Sequence, residues 1–226
     1  PEICDFINHI CIHKTKIKSI KENTKNKPRY IVTNLFNNNS DYEPLNIINN
    51  FIKDGYNYND IFILSYSVKA GYNSPRPCNI LENMLTKNNI PVYIPNSDSD
   101  NIKNIVLNDN KIIFSSFHQV KGRERKIVFI IGFDDYYESV NKSIYDTNNN
   151  LICNNPLFVA LSRSSEHLIL LHGNNRKCLP FITNLNELKN YTEFVSNINN
   201  KKTETLINTK YDYNINNMIF TSPTEI

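Results

Sequence analysis

The sequence lacks several features that would assign it to a membrane or secreted class. No uninterrupted apolar run approaches the ~18 to 20 residues that a membrane span needs. The five cysteines are few, odd in number and irregularly spaced, and no signal peptide precedes them. This usage argues against a disulfide framework. We therefore expect an intracellular protein, in the cytoplasm, the nucleus or at a viral replication site, with no membrane partner.

Phosphate-binding and metal-binding motifs are also missing. The chain has only five glycines and contains no Gly-x-x-x-x-Gly-Lys-Ser/Thr loop. No acidic pair ends a strand in the manner of a Walker B motif, because Asp134 and Asp135 are interpreted as part of a loop. The cysteines and histidines of residues 4–13 fit no tetrahedral zinc pattern. We expect buried cysteines on a helix there, and no metal site.

The composition favours one intracellular α/β domain without identifying its ligand. A length of 226 residues suits one large domain, or one domain with an appendage. The net charge of +3 is too small to indicate a nucleic-acid partner by itself. The basic stretch at residues 14–29 is typical of a solvated helix face, and nucleic-acid contact is the open alternative.

Apolar strand patterns alternate with helical patterns along the chain. Helices are predicted at 1–20, 43–53, 77–88 and 156–164, and strands at 30–35, 61–66, 91–94, 111–116, 127–132 and 167–171. Strands that are apolar throughout indicate a mainly parallel sheet with helices on both faces. The predicted fold class is therefore α/β.

The carboxyl-terminal part of the chain has weaker patterns. Residues 134–155 are predicted as a long loop rich in Asn and Tyr. From residue 189 there is no clear period, apart from short extended pieces at 205–207 and 217–220. We therefore predict one domain over residues 1–190 and a carboxyl-terminal extension or tail over residues 191–226.

The first segment that suggests chemistry is FHQVKGRERKIVFIIGFD, residues 117–134. It joins a histidine and a glutamine to a Lys-Gly turn directly ahead of an apolar strand. Gly122 permits close backbone approach, and exposed amides beside Lys121 and Arg123 favour an anionic ligand. On charge alone, a solvated turn between two strands explains the pattern equally well.

The second segment is LFVALSRSSEHLILL, residues 157–171. A helix is predicted here with Asn155 as its N-cap and Pro156 in its first turn. Arg163 lies at the helix end, where it can interact favourably with the helix dipole. The sharper alternative is a bidentate clamp on phosphate oxygens, which is the role of an arginine finger.

The predicted topology indicates where these segments meet. Ligands of parallel sheets bind beyond the carboxyl ends of the strands. We therefore expect the chemistry in the loops after Ser116 and Gly132 and around the helix at 156–164. Gly122 and Arg163 are expected on the same edge of the sheet.

Together, the two segments resemble motifs V and VI of the UvrD-like superfamily 1 helicases. Residues 117–134 are similar to a motif V of the form His-x-x-Lys-Gly-x-Glu ahead of an apolar strand, and residues 157–171 to a motif VI of the form Tyr-Val-Ala-x-Thr-Arg-Ala. The stretches IFILSYSVKAG and NILENMLTKNNIPVYI resemble the strand–helix–strand upstream, which carries motif IV. The amino-terminal PEICDFINHI resembles the helix after the family's Tyr-Arg motif. The resemblance spans about residues 1–171.

The resemblance implies a RecA-like fold, of the P-loop NTPase type but without the Walker A loop, and a set of nucleotide contacts. Arg163 matches the motif VI arginine that reaches the γ-phosphate of ATP from the second lobe. Glu124 matches the motif V glutamate that bonds the nucleotide ribose, and Gly122 matches the adjoining turn. ATP and Mg²⁺ would both be held mainly by an amino-terminal RecA-like lobe of the same full-length protein.

The resemblance also implies a single-strand track. His118 matches the residue that touches single-stranded nucleic acid, and Gln119 lies beside it in the same track. Lys121 matches the lysine that links the strand contact to the ATP cleft. The implied partner is single-stranded nucleic acid, DNA rather than RNA.

Some residues depart from the family pattern. Arg123 and Arg125 flank Glu124, where the family has apolar residues. Tyr66 stands near the first core strand, where many relatives carry arginine. Only about sixteen residues separate Ile94 from Lys111, which leaves no room for the large inserted subdomain of typical UvrD-like enzymes.

Two functions remain open from the sequence. In the first, the chain is the C-terminal motor lobe of an ATP-dependent DNA or RNA helicase and supplies the arginine finger and part of the single-strand track. The chain alone is then expected to be inactive, because a phosphoryl-transfer site needs phosphate loop, metal and arginine together. In the second, it is a non-catalytic RecA-like module that binds nucleic acid or a protein.

Overall fold

The computed structural model describes residues 1–11, 15–20, 26–37, 39, 41–68, 76–94, 110–120, 122–140 and 153–207. Lys121 and the extended piece predicted at 217–220 lie outside these residues.

Seven strands of the described chain form one sheet in which every pairing is parallel. The spatial order is β3-β4-β2-β5-β6-β1-β7. The strands are β1 (Arg29–Thr33), β2 (Ile61–Ser65), β3 (Val92–Tyr93), β4 (Ile112–Ser116), β5 (Arg125–Ile131), β6 (Ser164–Gly173) and β7 (Glu193–Ser196).

Helices cover both faces of this sheet. They are α1 (Glu2–Ile10), α2 (Glu43–Lys53), α3 (Pro77–Lys87), α4 (Asp135–Val140), α5 (Asn155–Leu161), α6 (Leu185–Tyr191) and α7 (Asn200–Ile207). A single 3-10 turn, Tyr58–Asp60, leads into β2. Apolar side chains of α2 and α3 pack on one face, and those of α1, α4, α5, α6 and α7 pack on the other. The predicted α/β class with a parallel sheet is confirmed.

Alternate residues of the central strands supply the two halves of the core. In β5, Val128 and Ile130 face α1 and α5, whereas Ile127 and Phe129 face α2 and α3. All four are fully buried. Burial of each such side chain contributes about 1.5–3 kcal/mol, so β5 contributes to the core on both faces of the sheet.

The connection from β4 to β5 contains no helix among its described residues. The backbone N–H of Phe117 donates to the carbonyl of Ser65 at 3.1 Å, so the connection starts at the carboxyl end of β2. Phe117 and Val120 are then buried against the face that α1 and α5 cover. We call the side of the sheet where its parallel strands begin the amino edge, and the side where they end the carboxyl edge. Since β4 and β5 are both parallel to β2, this segment crosses from the carboxyl edge to the amino edge.

The largest differences from the predicted elements are at residues 11–20, 135–140 and 200–207. Helix α4 lies inside the segment 134–155 that was predicted as a loop, and α7 covers residues 205–207, which were predicted to be extended. The amino-terminal helix ends at Ile10 instead of continuing to residue 20. Asn and Tyr enrichment hid α4, and α7 is short with few apolar residues, so neither gave a helical period.

The sheet also continues past residue 190, where the sequence predicted the domain to end. Strand β7 pairs with β1 along its length. In α7, Thr203 and Ile207 are buried, and the N–H of Cys178 donates to the carbonyl of Leu206 at 3.1 Å. The described fold therefore runs to residue 207.

Candidate functional site

Arg163 and the segment 122–124 lie at the amino edge of the sheet. Arg163 ends the turn after α5 and immediately precedes β6, and its carbonyl accepts the N–H of Arg125 at 3.0 Å. Gly122 is three residues before Arg125, so chain geometry keeps it within about 11 Å of that residue. Gly122 and Arg163 thus share one edge, as expected.

The expectation that this chemistry lies at the carboxyl ends of the strands is wrong for Gly122, Glu124 and Arg163. Two features of the chain explain the difference. The connection after β4 returns across the sheet with no helix in its described part, and it places residues 122–124 at the start of β5. Helix α5 precedes a strand, so its carboxyl end, with Arg163 beyond it, points to the amino edge.

The Arg163 guanidinium is held by the end of its own helix. Its Nε donates to the carbonyl of Val159 at 2.9 Å, and one Nη donates to the Ser162 hydroxyl at 3.1 Å. The side chain is half-buried, and no carboxylate of the described residues forms an ion pair with it. These two bonds fix the direction of the group and leave further N–H donors for an anion.

Gly122 and Glu124 are exposed residues at this edge. Gly122 has φ +78°, and a Cβ there would meet nothing within 4 Å, so glycine serves the backbone conformation and not the available space. Glu124 is exposed and lines a cleft of about 310 Å³ together with Asp60, Arg125 and Lys126.

Two further arginines make this edge electropositive. Burial lowers the pKa of both Arg123 and Arg125, and the charge of Arg123 lowers that of Arg125 further. The Arg125 guanidinium lies 4.7 Å from the centre of the Phe62 ring, and its buried Nε has no hydrogen-bond partner among the described residues. Lys126 differs from them because Asp60 neutralises it at 3.1 Å.

His118 and Gln119 lie at the opposite, carboxyl edge. Both follow Phe117, which bonds to the last residue of β2. His118 is exposed, and Gln119 accepts a hydrogen bond from the Ser116 hydroxyl at 3.2 Å. The residues predicted to bind the nucleotide and the residues predicted to contact single-stranded nucleic acid therefore lie at opposite edges of the sheet. Lys121, proposed to connect them, falls in the crossing segment but outside the described residues.

The carboxyl edge also contains an aromatic and cationic group that sequence reasoning missed. Tyr66 and Tyr136 contact each other with ring centres 5.3 Å apart, and their hydroxyls are 3.1 Å apart. The Arg76 guanidinium lies 5.6 Å from the Tyr66 ring, and that of Arg176 lies 4.8 Å from the Tyr136 ring. The one available signal was Tyr66, at a place where relatives of the resembled family carry arginine.

The buried carboxylate of Asp134 connects several elements at the carboxyl edge. One carboxylate oxygen accepts the N–H of Gly173 at 2.9 Å, and the other accepts the N–H of Tyr136 at 3.0 Å. Burial raises the pKa of Asp134 to about 6, and the two hydrogen bonds and the charge of Arg176 oppose that rise. Asp134 thus ties the ends of β5 and β6 to the start of α4.

Residues 4–13 give no sign of a metal centre in their described part. His9 stacks on Tyr191 at 4.6 Å and bonds to the carbonyl of Asp5. All five cysteines are free. No group of three or more potential ligands that could hold a metal ion occurs among the described residues. The helices of the described chain also include none that is long and apolar enough to cross a membrane.

Comparison with known proteins supports the fold. The sequence matches no protein-family model, and no curated protein is significantly similar to it. The structure is similar to the crystal structure of the C-terminal domain of a possible DNA helicase from Lactobacillus plantarum WCFS1, with a TM-score of 0.50 and 14% identity. The similarity covers 87% of this chain and 96% of that domain. The chain therefore shares the fold of a helicase-related C-terminal domain, and its function has to be argued from its own site.

Proposed function

We propose that the chain is the C-terminal motor lobe of an ATP-dependent superfamily 1 helicase of the UvrD-like type. In this proposal it supplies an arginine to ATP held by another RecA-like lobe of the full-length protein. The observation that carries the proposal is the position of Arg163, which is oriented by its own helix end and lies on the same edge as Gly122 and Glu124.

The residues of the amino edge suit a nucleotide polyphosphate. The Arg163 fork donates to γ-phosphate oxygens, and its bonds to Val159 and Ser162 keep it in place before ATP arrives. Such a preorganised donor stabilises charge that develops during phosphoryl transfer. The exposed Glu124 accepts hydrogen bonds from the ribose hydroxyls at this edge.

The remaining parts of the ATP site belong to the other lobe in this proposal. This sequence contains no phosphate loop, so we expect that lobe to hold Mg²⁺ and most of the phosphate oxygens. The metal neutralises phosphate charge when it is bound. Arg123 and Arg125 add positive charge at the same edge and favour the approach of an anion.

The carboxyl edge carries the proposed single-strand track. His118 and Gln119 contact single-stranded nucleic acid there, DNA in preference to RNA. ATP and strand then occupy opposite edges of the lobe, and the segment 117–124 joins them directly. This segment is the proposed route by which binding of the single strand alters ATP hydrolysis.

Steady-state ATPase of the intact protein, titrated with single-stranded DNA and RNA, tests the proposal. Arg163→Ala should lower turnover about 10³-fold, the usual scale for an arginine finger. Arg163→Lys should restore little, because an ammonium lacks the bidentate fork. Arg29→Ala is the matched control, since Arg29 lies near the same edge and is neutralised by Glu193 at 3.5 Å. Its turnover should be unchanged.

The same titration separates the two edges. His118→Ala should weaken stimulation by the single strand and leave basal hydrolysis intact. Lys121→Ala should disturb both. Near-normal turnover in Arg163→Ala would end the motor proposal and leave the alternative, a non-catalytic RecA-like module that binds nucleic acid or protein.

A further inference from the structure

Four side chains at the carboxyl edge form a cluster that the motifs do not include. Tyr66 follows β2, Tyr136 belongs to the first turn of α4, Arg176 follows β6, and Arg76 is the N-cap residue of α3. They come from four separate stretches of chain and meet at one place. We call these four residues the tyrosine–arginine cluster.

The tyrosines form the centre of this cluster. Their rings are 5.3 Å apart with an interplanar angle of 66°, and their hydroxyls are hydrogen-bonded at 3.1 Å. Both residues are half-buried. An edge-to-face pair of this kind is rigid and has only two side-chain torsions per residue to order, so it presents flat apolar surface at low entropic cost.

The arginines flank the rings and form no ion pair with a carboxylate of the described residues. Arg76 donates to the Ser67 hydroxyl at 2.6 Å, and the Arg176 side chain makes no hydrogen bond to the described residues. The ion pairs of the described residues include neither guanidinium. The charge of Arg176 opposes the rise in pKa that burial causes at Asp134 and Asp135, so both carboxylates lie near this guanidinium. Two planar cations therefore lie over aromatic rings with N–H donors still available.

The cluster is next to the proposed strand contacts. Phe117, the residue before His118, bonds to the carbonyl of Ser65, the residue before Tyr66. Phe117 also packs on Tyr137, the residue after Tyr136, with ring centres 5.2 Å apart. His118 therefore follows a residue that contacts the chain neighbours of both Tyr66 and Tyr136.

We propose that the tyrosine–arginine cluster is a base-stacking platform for single-stranded nucleic acid. Bases stack on the accessible parts of the tyrosine rings and on the guanidinium planes that lie over them, and the arginine N–H groups bind the phosphates between the bases. Planar bases fit this flat surface better than the carboxylates of an acidic peptide, which would use only the charges. The inference rests on the proposed binding of single strands, and it names the residues that contact the bases.

The test measures binding by the 226-residue chain to labelled single-stranded oligonucleotides, by fluorescence anisotropy. The first probe is a 20-nucleotide thymidine strand, and the second is an abasic strand of the same length and charge. Wild-type chain should bind the thymidine strand at least tenfold more tightly, because stacking on one aromatic ring contributes on the order of tenfold in affinity. Equal affinity for the two strands, or no measurable binding of either, would overturn the platform.

Variants assign the effect to each member. Tyr66→Leu and Tyr136→Leu should each weaken binding of the thymidine strand about tenfold and leave the abasic strand unaffected. Tyr66→Phe and Tyr136→Phe keep the ring and should restore that affinity, which separates stacking from loss of the hydroxyl contact. Leucine variants that fold, judged by thermal unfolding, and bind the thymidine strand as the wild type does would contradict the proposal.

The arginines have a different signature. Arg76→Gln and Arg176→Gln should weaken binding of both strands alike, and each should reduce the slope of log affinity against log salt by about one. Lys53→Gln removes one positive charge from the exposed end of α2 and serves as the control, with no change expected. Arginine variants that behave as Lys53→Gln would remove phosphate binding from the platform. A polyglutamate peptide and the abasic strand are then compared as competitors of the thymidine strand. If the peptide displaces the thymidine strand as effectively as the abasic strand does, the surface is assigned to acidic proteins instead.

The outcome of these binding experiments is independent of the outcome of the ATPase test. Loss of turnover in Arg163→Ala with equal binding of the two strands would keep the motor and remove the platform. Base-dependent binding with normal turnover in Arg163→Ala would keep the platform on a non-catalytic module.

Discussion

Two buried titratable side chains near the carboxyl ends of β5 and β6 respond to pH in opposite directions. Asp134 is neutralised more easily in the folded protein, because burial raises its pKa to about 6. His172 is charged less easily, because burial lowers its pKa to about 4. Its Nε2 lies 2.8 Å from the Arg176 carbonyl and must donate, so Nδ1 accepts the hydroxyl of Tyr30 at 2.7 Å.

Linkage gives the sign of each effect. Between about pH 4 and 6, Asp134 binds a proton when folded and loses it when unfolded, so its contribution to the free energy of unfolding falls as pH rises. Between about pH 4 and 6.5, His172 is neutral when folded and protonated when unfolded, so its contribution rises with pH. The two slopes offset each other in the wild-type chain.

Single substitutions should expose these slopes. Relative to wild type, Asp134→Asn should make the free energy of unfolding rise more steeply with pH over about pH 4–6, by up to ~1.4 kcal/mol per pH unit. His172→Gln should make it fall with pH by a similar amount. Urea denaturation at three pH values between 4.5 and 6.5 measures both. Wild-type slopes in both variants would show that neither group titrates as its burial requires.

At the scale of elements, the amino-terminal cap of α5 supports the helix that carries Arg163. The cap is Asn154, whose Oδ1 accepts the N–H of Leu157 at 3.0 Å and the Tyr137 hydroxyl at 2.7 Å. The sequence predicted Asn155 as the cap, one residue too late. Both residues are asparagine, and the bond between Asn154 and Tyr137 forms only in the folded chain, so local sequence could not separate them.

The two asparagines provide a matched pair of variants. Asn154→Ala should lower the free energy of unfolding by about 1–3 kcal/mol, since α5 loses its cap and the Tyr137 hydroxyl is left buried without its acceptor. Asn155→Ala changes an exposed residue of the first turn and should alter it by no more than about 0.5 kcal/mol. Urea denaturation compares them. A larger loss in Asn155→Ala would mean that the predicted cap is the correct one.

The elements with strong periodic patterns were predictable, and the short polar ones were not. Helix α2 occupies the predicted residues, because Pro44 starts it and a clear apolar stripe follows. Strand β6 is longer than predicted. Its first residues are polar and show no strand pattern, and they join the sheet because they pair with β5. Helices α4 and α7 depend on a few buried contacts, such as those of Tyr137 and Ile207, that no local pattern reveals.

At the scale of the whole molecule, the motifs identified candidate residues but not their arrangement. The sequence predicted that Gly122 and Arg163 lie at the same edge of the sheet, and in the structure they do. It assigned them to the carboxyl edge, because ligands of parallel sheets usually bind beyond the carboxyl ends of the strands. The crossing between β4 and β5, with no helix in its described part, is a property of tertiary packing, in which Phe117 and Val120 replace helical residues in the core. The tyrosine–arginine cluster was likewise invisible, since its members are distant in sequence.

This arrangement gives the lobe two working edges joined by one short segment. The amino edge presents Arg163 to a nucleotide, and the carboxyl edge presents His118 and the cluster to a single strand. Segment 117–124 spans the distance between them, and its Phe117 and Val120 are anchored in the core. A coupling route of this kind needs no long-range rearrangement of the sheet.

The central claim is that Arg163 acts on the transition state of ATP hydrolysis in the intact protein. The most direct measurement compares the affinity of wild type and Arg163→Ala for ADP with aluminium fluoride, a transition-state analogue, and for ADP alone. An interaction that strengthens in the transition state should weaken analogue binding about 10³-fold in the variant and change ADP affinity only a few-fold. Equal affinity of both proteins for the analogue, or equal losses for analogue and ADP, would contradict the account.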